Sequence, residues 1–378
     1  MDTNICIVDY FEDLEDPRIY TLNGRHQLLD IVTISILAVL CGAEGWADIH
    51  TWAQANKAWL STFLELPNGI PSKSCIRRVI SRIKTDQFQT CFLNWTAALC
   101  EATDGQIIAI DGKTLRHSFD SRSGKKALHL VSAWAVENHV LLGQEAVDQK
   151  SNEITAIPKL LDILNLSGAV VTIDAMGCQK EIVRQIHDEG GDYVIGLKGN
   201  QPNLQESVQD EFEKHMDNDF SDVDCRQHQT KEKAHGRVEE RTYYQMKLPS
   251  DSPNRKEWAG LKTIGMVVNQ TECKGTFSDE VRYYISSLPL GVKRFAECVR
   301  GHWGIENGLH WTLDVTFDED QSRIRKDDGA ENMGLLRRIA LSVLKSNQGD
   351  KRSVRQRRLR SGWDRDYLLK ILGKTAAS

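Results

Sequence analysis

None of the nine cysteines (Cys6, Cys41, Cys75, Cys91, Cys100, Cys178, Cys225, Cys273, Cys298) has a partner at CxxC spacing. A zinc ribbon and a disulfide scaffold are therefore excluded, and a reducing compartment fits. Long hydrophobic runs are missing too: the longest, "IVTISILAVLCGA" at 31–43, is too short to span a bilayer and reads as a core helix. No basic-then-apolar leader follows Met1, so a cytoplasmic protein with no membrane partner is expected. Basic excess is absent as well. The net charge of −5 argues mildly against a general nucleic-acid binder and sends attention to local patches. There is no internal repeat and no low-complexity segment.

What remains is a chain of 378 residues, 40% apolar and 27% charged, long enough for two or three packed regions. Residues 1–103 carry helical spacing in "LLDIVTISILAVL", "WADIHTWAQANKAWLSTFLEL" and "FQTCFLNWTAALCEA". From about 104 the texture changes. "QIIAID", "ALHLVSAWAV" and "HVLLGQEAV" read as three strands. They are followed by helix, strand, helix and strand through "EITAIPKLLDILNL", "AVVTID", "QKEIVRQIHDEG" and "DYVIGLKG". An antiparallel start followed by β-α-β-α-β crossovers predicts an α/β fold of RNase H-like order, a mixed sheet with helices on both faces. Residues 200–290 read as a β-rich insertion, helical spacing resumes at "VKRFAECVRGHWGIENGLHW", and 346–378 form a basic tail or helix. The expected division is thus 1–103, 104–345 and 346–378.

Two apolar strands end on a carboxylate, Asp111 in "IIAIDGKTLRH" and Asp174 in "VVTIDAM". A lone buried carboxylate is costly unless paired or bound to metal. Neighbouring parallel strands present their carboxyl ends together, so these two acids suggest one site bridged by a divalent cation. A third acid is sought on another element. Glu306 lies in the middle of the stripe Phe295, Val299, His302, Leu309, Leu313 of a predicted helix over 293–313; Asp314, Asp318 and Asp320 rank below it.

The segments "AIDGKTLR", "VTIDAM", "YVIGLKGNQ" and "HWGIENGLHWTLDVTFDEDQSRIR" resemble the DDE transposases of bacterial insertion sequences, in particular the H-repeat-associated group found beside Rhs elements. The resemblance covers about residues 10–345. It implies that Asp111, Asp174 and Glu306 are a catalytic triad binding Mg²⁺, with Mn²⁺ as a possible substitute. It further implies double-stranded DNA as partner, both as terminal inverted repeats and as target, and a homodimer on that DNA. Relatives with a similar insertion carry Tyr, Arg and Lys where this chain has Val299, His302 and Leu313.

Local basic clusters supply the DNA-binding candidates. "PSKSCIRRVISRIK" predicts a short amphipathic helix with Ile76, Val79, Ile80 and Ile83 inside and Arg77, Arg78 and Arg82 outside. Lys113 and Lys198 follow strands, Arg300 precedes Glu306, and Arg323 and Arg325 follow it. Between Lys351 and Arg365 lie seven basic residues, among them Arg355, Arg357 and Arg358, expected to meet phosphate. Trp303 and Trp311 are expected in the core. The reading is a Mg²⁺-dependent transposase that cuts element ends and transfers strands. A DDE nuclease without strand transfer and a catalytically silent DNA-binding protein are the alternatives.

Overall fold

A computed structural model of the protein describes residues 6–19, 24–99, 105–119, 126–147, 152–234, 237–273, 275–347 and 349–373. The chain opens with helices α1 (Leu28–Leu40), α2 (Trp46–Ala55), α3 (Lys57–Leu60), α4 (Lys73–Ile80) and α5 (Thr85–Leu99). Strands β1 (Ile107–Leu115), β2 (Leu128–Ala135) and β3 (Val140–Ala146) follow, then α6 (Glu153–Leu161), β4 (Val170–Ile173), α7 (Lys180–Asp188), β5 (Asp192–Leu197) and α8 (Pro202–Met216). The insertion carries β6 (Cys225–Ala234), β7 (Arg237–Lys247), the short α9 (Asn254–Glu257), β8 (Thr263–Cys273) and β9 (Thr276–Ser286). Five helices close the chain: α10 (Val292–Ile305), α11 (Trp311–Phe317), α12 (Gly329–Ser346), α13 (Val354–Trp363) and α14 (Arg365–Ile371).

The strands form one mixed sheet in the order β3-β2-β1-β4-β5-β9-β8-β7-β6. The first five positions, 3-2-1-4-5, are the RNase H-like order, with β1, β4 and β5 parallel and β2–β3 an antiparallel hairpin. The insertion strands extend this same sheet, because β9 pairs antiparallel with β5 from Val194↔Ser286 to Leu197↔Tyr283. β1 does not end at Asp111, as the apolar run suggested, but continues through Gly112 to Leu115.

Chain compaction defines two units. Met1–Ala102, Gly112–Lys150 and Asn307–Ser378 make the first, and Thr103–Asp111 with Ser151–Glu306 the second. In the first, α1 is buried from Asp30 to Leu40, and α4 starts on Ser72, whose hydroxyl accepts from the Cys75 amide at 3.2 Å. α12 is buried along nearly its whole length, and its Asn332 amide donates to the Ile80 and Ile83 carbonyls at 2.7 and 2.9 Å, satisfying the end of α4. The Arg338–Glu319 ion pair at 2.6 Å is fully buried, with 0% exposure on both sides. In the second unit, α6 covers the Ile173 face of β4, where Ile157 and Ile173 crowd Gly177 so closely that any Cβ there would clash. The opposite, Thr172 face is covered by α10, as described below. Helices thus lie on both faces, as the crossovers predicted.

Candidate active site

Register builds the site. β1 and β4 pair in parallel from Ile107↔Val170 to Ile110↔Ile173, so the next residues are Asp111, still in β1, and Asp174, in extended conformation just past β4. Side chains alternate along a strand, which puts both acids on the face shared by the paired residues Ala109 and Thr172. Adjacent strands run roughly 4.8 Å apart, close enough for two carboxylates to feel each other. They do: the Asp174 carboxyl is held above its ordinary pKa by partial loss of water, then by the charges of Glu153 and Asp111. Its side chain still reaches solvent, and one oxygen accepts from the Met176 amide at 3.0 Å, capping the 3-10 turn Ala175–Gly177.

α10 leads to the third candidate acid, Glu306, the residue after its last. At its start the Arg294 guanidinium donates to the Gly105 carbonyl, just before β1; two turns on, the His302 Nδ1 lies 3.3 Å from the Thr172 hydroxyl. Thr172 pairs with Ala109, so the two anchors are four strand residues or eight helical residues apart. Both distances come to about 12–13 Å, which fits a helix running in the direction of β1 and β4. One further helical turn, about 6 Å, leads from His302 to Glu306, and one further strand step of about 6.6 Å leads from Ala109 and Thr172 to the two aspartates. Asp111, Asp174 and Glu306 all act electrostatically on His302, whose burial lowers its pKa while the three acids push it back up.

Glu306 is exposed and opens a π-helical turn, Glu306–His310, between α10 and α11. The helix predicted over 293–313 is therefore interrupted by a change of pitch at residues 306–310. Among the described residues, no three His, Cys, Asp or Glu side chains are gathered into a group able to hold a metal ion. The aspartate pair alone has the hard oxygen donors and crowded negative charge that suit a cation taking one or two carboxylates plus waters.

Residues 102–343 match the family described as "Transposase DDE domain", and residues 8–96 match "DDE_Tnp_1-associated". The chain belongs to the DDE transposase family. It is 39% identical over 95% of both chains to the H repeat-associated putative transposase YhhI of Escherichia coli (strain K12). It is also 39% identical to the putative transposase YncI of Escherichia coli O157:H7, over 97% of this chain and 94% of that one. Among solved structures, a piggyBac transposase synaptic complex with hairpin DNA is similar over 98% of this chain and 77% of that chain, with a TM-score of 0.44 and 11% identity.

The basic candidates of this DDE transposase fall into two groups. Arg77, Arg78 and Arg82 are exposed around α4, Lys198 is exposed just past β5, and Arg323 and Arg355 are exposed. Others are occupied. Lys113 is buried and bound to Asp314 at 2.6 Å and Asp320 at 3.6 Å, so it is not placed to hold phosphate, and those two rival acids are spent on it. Arg358 is buried, donating to the Val39, Ala43 and Thr316 carbonyls, with its guanidinium 4.4 Å from the centre of the Phe317 ring. Arg357 donates to the carbonyls of Leu344, Asn347, Asp350 and Arg352. Both therefore hold the terminal helices together, and the expectation that they face DNA is corrected. Arg300 is paired with Glu232 of β6 at 2.5 Å, and Arg325 donates to the His117 carbonyl at 3.2 Å.

Asn200 and Gln201 brace the turn after Asp174, donating to the Ala175 and Cys178 carbonyls at 2.6 and 2.9 Å. Trp303 is half-buried beneath Arg282, 4.4 Å from its ring, but Trp311 is 59% exposed, against expectation. Sequence reasoning missed Glu153 beside Asp174 and the placement of His302. The first sits just after the Asn152 cap of α6, indistinguishable from any acid favoured by a helix N-terminus.

Proposed function

We propose that this DDE transposase cuts the ends of its own mobile element and joins them to target DNA, using Asp111, Asp174 and Glu306 with Mg²⁺. The observation that supports the reading is the register Ile110↔Ile173, which is followed at once by Asp111 on β1 and by Asp174 just past β4. Asp111 and Asp174 would share one divalent ion, and Glu306, exposed one turn beyond His302, would help hold a second ion together with waters and phosphate oxygens. Bound there, such ions would act as Lewis acids on the phosphate oxygens and stabilise the leaving oxygen. The protein contributes position and charge. The Met176 amide orients the Asp174 carboxylate, and the Asn200 and Gln201 bridges keep its turn in place. No covalent intermediate with the chain is needed.

DNA would meet the exposed arginines of α4 together with Lys198, Arg323 and Arg355. Two ends must be joined to one target, which favours a homodimer on DNA. The test is incubation of the protein with Mg²⁺ and duplexes carrying the inverted repeats that flank its gene. Nicked ends and strand-transfer products are expected from the native chain, and neither from Asp111→Asn, which should still bind the duplex. Cleavage without joined products would show a nuclease instead, and cleavage by Asp111→Asn would overturn the assignment.

A further inference from the structure

The Thr172 hydroxyl is buried at 1% exposure on the face of β4 that carries Asp174, and it meets the imidazole of His302. Nothing in the proposed chemistry uses either side chain. A β-branched residue has a stiff χ1, so this hydroxyl is a fixed point on the strand. Its register partner on β1 is Ala109, which has no side-chain polar group to compete for the imidazole. The contact falls one strand step before the aspartates and one helical turn before Glu306, and these steps are nearly equal at about 6–7 Å. A shift of α10 by one residue, about 1.5 Å along its axis with a 100° rotation, would turn Glu306 off this face.

We propose that Thr172 and His302 form a positioning pair that sets the axial register and rotation of α10, and thereby where Glu306 meets the aspartates. Its partner is the divalent cation, and the inference rests on the reading of Asp111, Asp174 and Glu306 as the carboxylates that hold it. Neither residue of the pair is a ligand in this scheme. Groups that orient ligands typically change metal affinity 10- to 100-fold when removed.

The experiment is titration of the metal-free full chain with Mn²⁺ by calorimetry, alongside its melting temperature. Thr172→Val, which keeps the shape and loses the hydroxyl, is expected to bind Mn²⁺ about tenfold more weakly, and Thr172→Ser to stay within threefold of the native chain. Should Thr172→Val fail to fold, the His302 side supplies the comparison. His302→Asn keeps a polar atom at the Nδ1 position and is expected to retain affinity, whereas His302→Phe is expected to lose about tenfold. Native affinity in a folded Thr172→Val or His302→Phe variant would overturn the proposal. Asp111→Asn serves as the control: if it loses Mn²⁺ affinity while Thr172→Val does not, only the positioning pair fails. If it too binds like the native chain, the carboxylate reading itself has failed, and the pair has no ligand to position.

Discussion

Arg355 and Arg358 stand three residues apart in one short helix and have opposite fates. Arg358 gives its guanidinium to three backbone carbonyls and a phenyl face, while Arg355 looks outward. Arg358→Ala is expected to cost on the order of 3 kcal/mol, seen as a lower urea midpoint, because buried carbonyls lose their donors. Arg355→Ala should leave that midpoint unchanged and reduce the salt slope of DNA binding by about one. Lys113 belongs with Arg358: Lys113→Met takes the buried cation from Asp314 and leaves Asp320 to the exposed Arg116 at 3.3 Å, and a lower urea midpoint is expected. The two aspartates of the proposed site were legible because a charge at the edge of a greasy run has few cheap explanations. The inward arginines were not, since α13 carries its arginines in no clear stripe and the acceptors of Arg358 come from remote stretches of chain.

At the level of elements, the π turn after α10 is the clearest departure from what periodicity predicts. Gly308 lies at its centre with its carbonyl accepting from Lys345 of α12 at 2.8 Å, and the Lys345 ammonium sits 4.9 Å from the centre of the Trp134 ring. A Cβ at 308 would stand 3.4 Å from that ammonium nitrogen, an ordinary contact distance. Single π turns depend on such outside partners and leave no mark in an apolar stripe, which is why a uniform helix was expected over 293–313. Burial, with Arg357 nearby, lowers the Lys345 pKa from 10.5 to about 8. Between these values the unfolded chain binds a proton that the native chain does not. Lys345 therefore makes stability rise with pH across that window and adds no slope below it. Lys345→Met should remove this rise, measurable as the pH dependence of the urea midpoint between pH 8 and 10.5.

For the whole molecule, the sheet order was readable in its RNase H-like half because each crossover there is short and flanked by a clear helix. Attachment of the insertion was not, since β9 reaches β5 only after three other strands have intervened. Excising residues 225–286 should uncover the β5 edge and yield an aggregating protein, checked by light scattering, whereas trimming only the β6–β7 hairpin should not. Replacing Arg77, Arg78 and Arg82 together by Ala should lower the salt slope of end binding by about three with little loss of stability. The pairing of β9 with β5 also sets an order of assembly. β6 to β9 are joined as successive neighbours and can zip up locally, but the β5–β9 ladder links positions about ninety residues apart, a closure that comes late and slowly. The meander would then serve as a prefabricated template, and the centre of the sheet would be the last seam to seal during synthesis.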